Sequence, residues 1–512
     1  MSALIPSLPL LATTLPTWAD LGAVAAPLAL IAVACLVLLL EVAGDGARRT
    51  HLAWLTAAGA MIAAFLAYRA PTGVEAFGGA LRFDGAAQLL TLTLAFVLAI
   101  AVLVAPDYLR ARGIERGEFY GLAALGTAGL MVLVASQDLL TVFVALETAS
   151  IATYALAALR RDQAISAEAA LKYLLLGAFS SALFLYGAAL LYVSAGSLRF
   201  EAVAGAPVGV IYLAGATLTL VGLAFKVGAV PFHMWTPDVY EGAPTPVTGF
   251  MAAAFKLGAF GVLLRLASVY APLNAQASHL VGWIFFGLAA ASLLVGNFLA
   301  MVQGSVKRIL AYSSIAHAGY TLLAVTAGAW IDGPVVTESV LSYLFVYGLT
   351  AVGAFAVVAL VEGAEGTEAG AIERLAGLGA RSPALALAMV IFLFSLAGIP
   401  PTGGFIVKLQ VFSALFQAAG AASAEAAPWL FGLGVFGVLT SVAAVYYYLR
   451  VVAWMYMEPG EAPIARLGAS VKVGLVAAAL AVLALGVVPG AFGAFAREAS
   501  GGPAPAMAAR GE

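Results

Sequence analysis

Long apolar segments recur from one end of this 512-residue chain to the other. A run of about 18 or more apolar residues predicts a transmembrane helix, because lipid offers no hydrogen-bond partner to an open backbone. Such runs predict about fourteen spans. They lie near residues 21–42, 51–69, 84–105, 117–136, 138–159, 168–195, 207–240, 243–270, 278–300, 308–330, 335–361, 383–418, 428–457 and 470–495. We therefore expect an all-α polytopic membrane protein.

The composition agrees and excludes several classes of protein. Hydrophobic residues make up 63% of the chain and charged residues 10%, whereas soluble proteins carry roughly 25% charged residues. A formal net charge of −2 leaves no cationic excess for nucleic-acid phosphates. One cysteine and four histidines cannot ligate an iron–sulfur cluster. We therefore expect no nucleic-acid partner and no redox cofactor in this chain.

The basic residues predict the orientation of the spans, because Lys and Arg near helix ends favour the cytoplasmic side. Odd-numbered loops hold thirteen of them, namely Arg48, Arg49, Arg110, Arg112, Arg116, Arg160, Arg161, Lys307, Arg308, Arg374, Arg381, Arg466 and Lys472. Even-numbered loops and the termini hold five, namely Arg69, Arg82, Arg199, Arg497 and Arg510. This asymmetry predicts that both termini are periplasmic.

Two long spans are interrupted by Pro and Gly in mid-membrane. The seventh contains KVGAVPFH from Lys226, and the twelfth contains LAGIPPTGGF from Leu396. Ordinary membrane helices also carry proline kinks. However, the two broken spans are five spans apart and run in opposite directions, as expected of inverted five-helix repeats. The predicted division is an N-terminal three-helix region (1–116), a first repeat (117–270), a second repeat (278–457), and a last span with a tail (458–512).

Charged residues inside the spans are the candidate functional residues. Glu147 is the only carboxylate well inside a span, and Lys226 lies beside the first break. A lysine removed from water binds its proton less tightly, and a nearby carboxylate restores the binding. A Glu147–Lys226 pair would therefore suit proton relay, with a static ion pair between helices as the alternative.

The other intramembrane lysines are expected to differ in importance. Lys256 and Lys408 are central in their spans, where an ammonium costs at least ~2.5 kcal/mol, so we assign both to proton transfer. Lys172 lies four residues after Glu168 near a span end, so an i,i+4 ion pair is as plausible as a relay role.

Two histidines are further candidates for the same chemistry. His233 lies beside the break at Pro231. His317 has serines three and four residues earlier on its helix face, which makes a polar connector plausible. A lone imidazole in a helix is also often just a hydrogen-bonding group.

Several segments together resemble a known family. They are LETASIATY around Glu147, FKVGAVPFHMW around Lys226, KRILAYSSIAHAGY from Lys307 and SLAGIPPTGGF from Ser395. The chain resembles the antiporter-like membrane subunits of respiratory complex I, which are related to Mrp-type sodium/proton antiporters. The segment TPDVYEGAPTPVT from Thr236, together with Lys408 in GFIVKLQVF, is most similar to the N branch of that family.

The resemblance implies a function and a setting. It implies a bacterial inner-membrane subunit that moves protons through half-channels, driven by quinone reduction in other subunits. Glu147, Lys226, Lys256 and Lys408 match the family's proton-channel residues, and Lys172, His233 and His317 match less central positions. The implied partners are other membrane subunits of the complex, including a sibling antiporter-like subunit. An Mrp-type cation/proton antiporter subunit is the alternative.

Overall fold

The computed structural model describes residues 16–43, 49–270, 275–331, 333–363, 370–463 and 468–501. Its helices are α1 Trp18–Ala23, α2 Ala25–Ala43, α3 Thr50–Arg69, α4 Gly85–Ala111, α5 Gly117–Ala135, α6 Leu139–Ala157, α7 Ala164–Ala195, α8 Phe200–Ala204, α9 Val210–Val227, α10 Trp235–Gly242, α11 Thr245–Tyr270, α12 Ala275–Met301, α13 Val306–Ala327, α14 Pro334–Gly363, α15 Leu378–Arg381, α16 Pro383–Ala397, α17 Gly403–Ala421, α18 Ala427–Tyr456, α19 Ala469–Val487 and α20 Pro489–Ala499. Within the described ranges, fourteen of these helices are long and apolar enough to cross a membrane. The all-α membrane fold is thereby confirmed.

The remaining regular structure is short. Strands β1 Val74–Ala76 and β2 Leu81–Phe83 form an antiparallel hairpin, with Glu75 opposite Arg82. Two 3-10 turns cover Phe77–Gly79 and Ile372–Leu375. All of these elements lie between long helices, so they connect spans.

Burial separates the helices into a central and a peripheral group. Helix α13 is buried at all residues except Arg308 and Tyr312, and α4, α11 and α14 are almost as enclosed. A helix that is apolar on all sides and buried on all sides belongs to the interior of a bundle. By contrast, α7 and α18 expose large apolar side chains such as Phe179 and Leu439. These outer faces are suited to contact lipid or other membrane subunits.

Both predicted helix breaks are present, and they share one backbone motif. Helix α9 ends at Gly228, whose left-handed backbone has φ 72°, and α16 ends at Gly398 with φ 82°. After each glycine, the next N–H donates to the carbonyl five residues earlier, at 2.9 Å in both cases. This is the Schellman pattern, which requires a residue free to adopt positive φ. The chain then resumes as α10 after the first break and α17 after the second.

The prediction for the last span is wrong at its end. Helix α19 stops at Val487, because Val488 leaves the helical backbone with φ −125° and ψ 65°, and Pro489 begins the separate helix α20. Residues 502–512 of the predicted tail lie outside the described residues. The division of the chain into inverted repeats stays a prediction.

Candidate proton-transfer site

The first part of the candidate site joins α6, α7 and α9. The Glu147 carboxylate Oε1 lies 3.9 Å from Lys226 Nζ and accepts a hydrogen bond of 2.5 Å from Ser181 Oγ. Lys226 Nζ donates to Ser150 Oγ at 2.9 Å and to Tyr154 OH at 3.4 Å. The predicted pair is therefore present, but its distance is longer than a direct hydrogen bond.

The two members of this pair differ in exposure. The Lys226 side chain is 1% exposed, whereas the Glu147 side chain is 22% exposed on the outer face of α6. Around Glu147, that face also exposes Val144 and Ile151. The carboxylate is thus accessible from outside the chain, while the ammonium lies within it.

Aromatic rings lead from Lys226 toward the interior. Tyr154 packs edge-to-face on Tyr173 with 4.7 Å between ring centroids, and Tyr173 stacks on Trp235 at 4.9 Å. Trp235 lies in α10, just after the first break, and its Nε1 donates to the Phe225 carbonyl at 3.0 Å. The indole thereby adds a second hydrogen bond to a carbonyl that also accepts from the Gly228 N–H at the end of α9, at 3.1 Å.

Lys256 lies in the buried helix α11 without a carboxylate partner among the described residues. Its ammonium donates to the Ser314 carbonyl on α13, and lies 5.1 Å from the centroid of the Tyr347 ring. The Tyr347 hydroxyl in turn donates to Ser314 Oγ at 3.0 Å. Neutral oxygens and a ring face therefore surround this cation.

His317 lies between two tyrosine hydroxyls. Its Nδ1 is 2.7 Å from Tyr343 OH and its Nε2 is 3.3 Å from Tyr448 OH. Tyr448 OH is also 2.5 Å from Ser313 Oγ. Ser313, four residues before His317, therefore contacts the same tyrosine hydroxyl as His317 does. An imidazole with an oxygen at each nitrogen can receive a proton on one side and release one on the other.

Lys408 lies on α17, after the second break. Its Nζ donates to the Ala397 carbonyl and to Ser441 Oγ, both at 2.9 Å, and lies 4.7 Å from the Tyr320 ring centroid. A cavity of about 10 Å³ touches both Lys408 and His317, which is space for about one water molecule. Lys408 therefore binds a carbonyl exposed by the break.

Ring contacts connect Lys256, His317 and Lys408 into one line. From Lys256 the line passes to Tyr347, whose ring is 5.0 Å from the His317 ring, then to Tyr320, 5.8 Å from His317, and on to Lys408. The structure thus brings together three residues that the sequence placed on three different helices.

Lys172 lies apart from this line. It is 41% exposed and binds Glu168 at 2.7 Å and Asp238 at 2.8 Å, and Asp238 also binds Arg308 at 3.1 Å. The predicted i,i+4 pair with Glu168 is present, within a larger ion-pair network. His233 is also partly exposed, and its Nδ1 has no hydrogen-bond partner among the described residues. The contacts of the described residues do not join it to the other candidates.

Sequence reasoning missed the hydroxyl groups around the lysines. Ser150 and Tyr154 lie three and seven residues after Glu147, so helical periodicity places them on its face and could have identified them. Ser441, Tyr343 and Tyr448 come from distant parts of the chain, and no local spacing relates them to their partners.

Comparison with known proteins decides the family. Residues 136–439 match the family described as NADH:quinone oxidoreductase/Mrp antiporter, transmembrane. NADH-quinone oxidoreductase subunit N of Trichlorobacter lovleyi is 41% identical over 473 residues, covering 90% of this chain and 93% of that protein. Subunit N 1 of Sorangium cellulosum is 47% identical over 418 residues, covering 78% and 80%. The chain belongs to the family of NADH-quinone oxidoreductase subunit N.

Solved structures agree with this assignment. A chain of respiratory complex I from Thermus thermophilus with bound aureothin is 34% identical with a TM-score of 0.74, covering 91% of this chain and 97% of that one. A chain of the Mrp complex from Dietzia sp. DQ12-45-1b, 19% identical with a TM-score of 0.77 over 94% and 97%, shares the fold alone. The chain is accordingly a proton-translocating, multi-pass membrane subunit of bacterial complex I.

Proposed function

We propose that protons move through this subunit by way of Glu147, Lys226, Lys256, His317 and Lys408. The observation that carries the proposal is the placement of these residues: the three lysines and the histidine are buried, and hydroxyl groups or ring faces surround each of them. Buried ionisable groups are costly in a membrane, so their accumulation in one chain favours a functional role.

In the proposed mechanism, the Glu147 carboxylate controls the charge on Lys226. At 3.9 Å the carboxylate supports the ammonium electrostatically, while its own hydrogen bond goes to Ser181. A shift of the carboxylate toward either partner changes that support. Weaker support releases the Lys226 proton, and the nearest acceptors are Ser150 and Tyr154.

Between Lys256 and Lys408, neutral groups pass the proton from one cationic site to the other. Lys256 and Lys408 have only neutral acceptors and ring faces among the described residues, so a proton on one disfavours a proton on the other. His317 lies between them and can relay through its two nitrogens. Protonation of one lysine therefore promotes release of the proton from the other.

The experiment that tests this proposal removes one charge without changing shape greatly. Lys256→Met in the assembled, reconstituted complex should abolish most proton translocation by this subunit, while NADH oxidation in the other subunits persists. Arg161→Met, at an exposed loop position, is the matched control and should pump normally. Normal pumping by assembled Lys256→Met complex contradicts the proposal.

We also propose that both termini are periplasmic, which is supported by the thirteen basic residues in odd-numbered loops against five in even-numbered loops and the termini. A cysteine introduced near residue 505 should react with a membrane-impermeant reagent only from the periplasmic side. Labelling only from the cytoplasmic side would invert the orientation.

Neighbouring membrane subunits, including a sibling antiporter-like subunit, are proposed to cover the outer face of α6. The support is the partly exposed Glu147 between the apolar Val144 and Ile151, because a carboxylate facing lipid at mid-span is costly. We expect the chain itself to hold no redox cofactor. Purification through a tag on this chain should recover flavin and iron–sulfur subunits, and an all-membrane set of partners would instead favour an antiporter complex.

A further inference from the structure

A groove of about 580 Å³ opens on the side of the bundle between α3 and α19. One wall consists of Trp54, Ala58 and Met61, which follow each other at helical spacing on α3. The opposite wall consists of Val473, Ala477 and Ala481 on α19, and the floor comes from α4 and α14. None of the proton-transfer residues lines it, so the groove is separate from that site.

The chemistry of the groove selects a hydrocarbon ligand. All of its lining residues are apolar, and Trp54 is the only one of them with a polar side-chain atom. Met61, Ile100 and Ala477 lie in the central parts of their helices, at the depth of the acyl chains. Trp54 and Met61 are also 42% and 45% exposed, so the groove is open sideways. A flexible chain can therefore enter it directly from the bilayer.

One end of the groove holds an exposed cation, Lys472. Helices α3 and α19 both begin there, since Arg110 at the end of α4 donates to Thr50 Oγ1 at 2.7 Å and Asp107 accepts from the Gly468 N–H at 2.8 Å. Lys472 immediately precedes the wall residue Val473, is exposed, and forms no ion pair with a described residue. An unpaired ammonium at the end of a helix, near the lipid headgroups, attracts phosphate.

His51 adds a second exposed hydrogen-bonding group at this end. It lies three residues before Trp54, on the same face of α3. The groove therefore combines an apolar channel at acyl-chain depth with polar and cationic groups at headgroup depth, which is the pattern of a phospholipid.

We propose that the groove binds one phospholipid, with an acyl chain between α3 and α19 and the phosphate beside Lys472. The bound chain fills the space between α3 and α19, which otherwise make few contacts with each other. A quinone tail lacks the anion that Lys472 would bind.

The test uses the intact complex in vesicles of phosphatidylethanolamine and phosphatidylglycerol, containing a trace of phosphatidylglycerol with a diazirine in mid-chain. After irradiation, we expect cross-links to peptides containing Met61 and Ile100. Ala477→Phe should lower them about tenfold, because it displaces about two methylenes from the groove. Lys472→Gln should lower them about fivefold through loss of one attraction to phosphate.

The matched control is Val476→Phe, which adds a ring at an exposed α19 position outside the groove and should leave the cross-links unchanged. The proposal is overturned if Ala477→Phe and Val476→Phe cross-link equally, or if a neutral quinone analogue abolishes the cross-links at equal concentration. It is also overturned if these peptides cross-link to another subunit instead of lipid. The readout does not depend on pumping, so its failure is distinguishable from a failure of the proposed proton path.

Discussion

The two broken helices have the same backbone and different electrostatics. Both breaks follow a left-handed glycine with the same Schellman hydrogen-bond pattern. Lys226 lies two residues before Gly228, within the helix that ends there, whereas Lys408 lies ten residues after Gly398, on the helix that resumes. The same backbone motif therefore occurs with the buried lysine before the break in one case and after it in the other.

The electrostatic surroundings of Lys226 and Lys408 differ more than their positions relative to the breaks do. Lys226 has the carboxylate of Glu147 at 3.9 Å. Lys408 has the Ala397 carbonyl, Ser441 and the Tyr320 ring, all of which are neutral. The first site can therefore be controlled by moving one anion, while the second must respond to the other cations around it. Substitutions can separate these two modes of control.

Removal of Lys408 should give the largest effect. A central lysine with no nearby substitute carries the whole of its step, so Lys408→Ala should lower proton translocation by about 100-fold, within the range for a lost proton-transfer group. Lys172→Ala is the comparison, because Lys172 is 41% exposed in an ion-pair network, and it should cost far less. The measurement is proton pumping by reconstituted complex with normal assembly. Equal losses of pumping in the two variants would show that the burial of a lysine does not determine its importance for proton transfer.

Neutralising Glu147 should have the second-largest effect on pumping. Glu147→Gln preserves shape and removes the support for the charged form of Lys226, so pumping should fall by about tenfold, and Glu147→Asp should retain part of it. The measurement is the same pumping assay on assembled complex. Normal pumping by Glu147→Gln with loss in Glu147→Asp would show that shape, not charge, matters.

Coupling within the pair provides a sharper version of this test. Lys226→Ala should add little to the loss already caused by Glu147→Gln, because residues that act as one unit are non-additive. Glu147→Gln combined with Lys408→Ala should instead show a further loss, because the two residues lie in separate clusters. A double substitution of Glu147 and Lys226 that multiplies the single losses would contradict the pair.

The sequence was sufficient for features that depend on local pattern. Apolar length predicted the spans, and Pro231 and Pro401 with their preceding glycines marked both breaks. Glu147 and Lys226 could be paired from the sequence, because they are rare charges inside apolar segments and each needs a partner.

Features that depend on packing between distant segments could not be predicted. Asp238 binds Lys172 and Arg308 from two other helices, and nothing in its own neighbourhood indicates those partners. His317 contacts Tyr343 and Tyr448, and its own sequence neighbourhood does not indicate these partners either. The end of α19 was missed because Pro489 is equally compatible with a kink inside a span and with the start of a new helix.

Loss of a single hydroxyl should distinguish the two lysine sites more finely. Ser441→Ala leaves Lys408 with one carbonyl, and should lower pumping by about fivefold, as expected for about 1 kcal/mol. Ser150→Ala should lower it less than about twofold, because Glu147 and Tyr154 still support Lys226. Pumping assays on both variants in parallel provide the measurement. A larger loss in Ser150→Ala would show that the carboxylate is not the main support of Lys226.

The smallest expected difference separates the two glycines. Alanine is strained in the left-handed backbone of either position, so Gly228→Ala and Gly398→Ala should each lower stability by about 1 kcal/mol, measured as equal shifts in thermal unfolding.

The methyl groups added by these two substitutions meet different neighbours, however. At position 398 the new Cβ would be 2.8 Å from Lys408 Cδ, and at position 228 it would be 3.1 Å from Thr236 Oγ1. Only the first displaces a lysine that carries protons, so Gly398→Ala should show a further decrease in pumping of about twofold. Equal pumping by the two variants at equal stability would show that the position of Lys408 relative to the break is not critical.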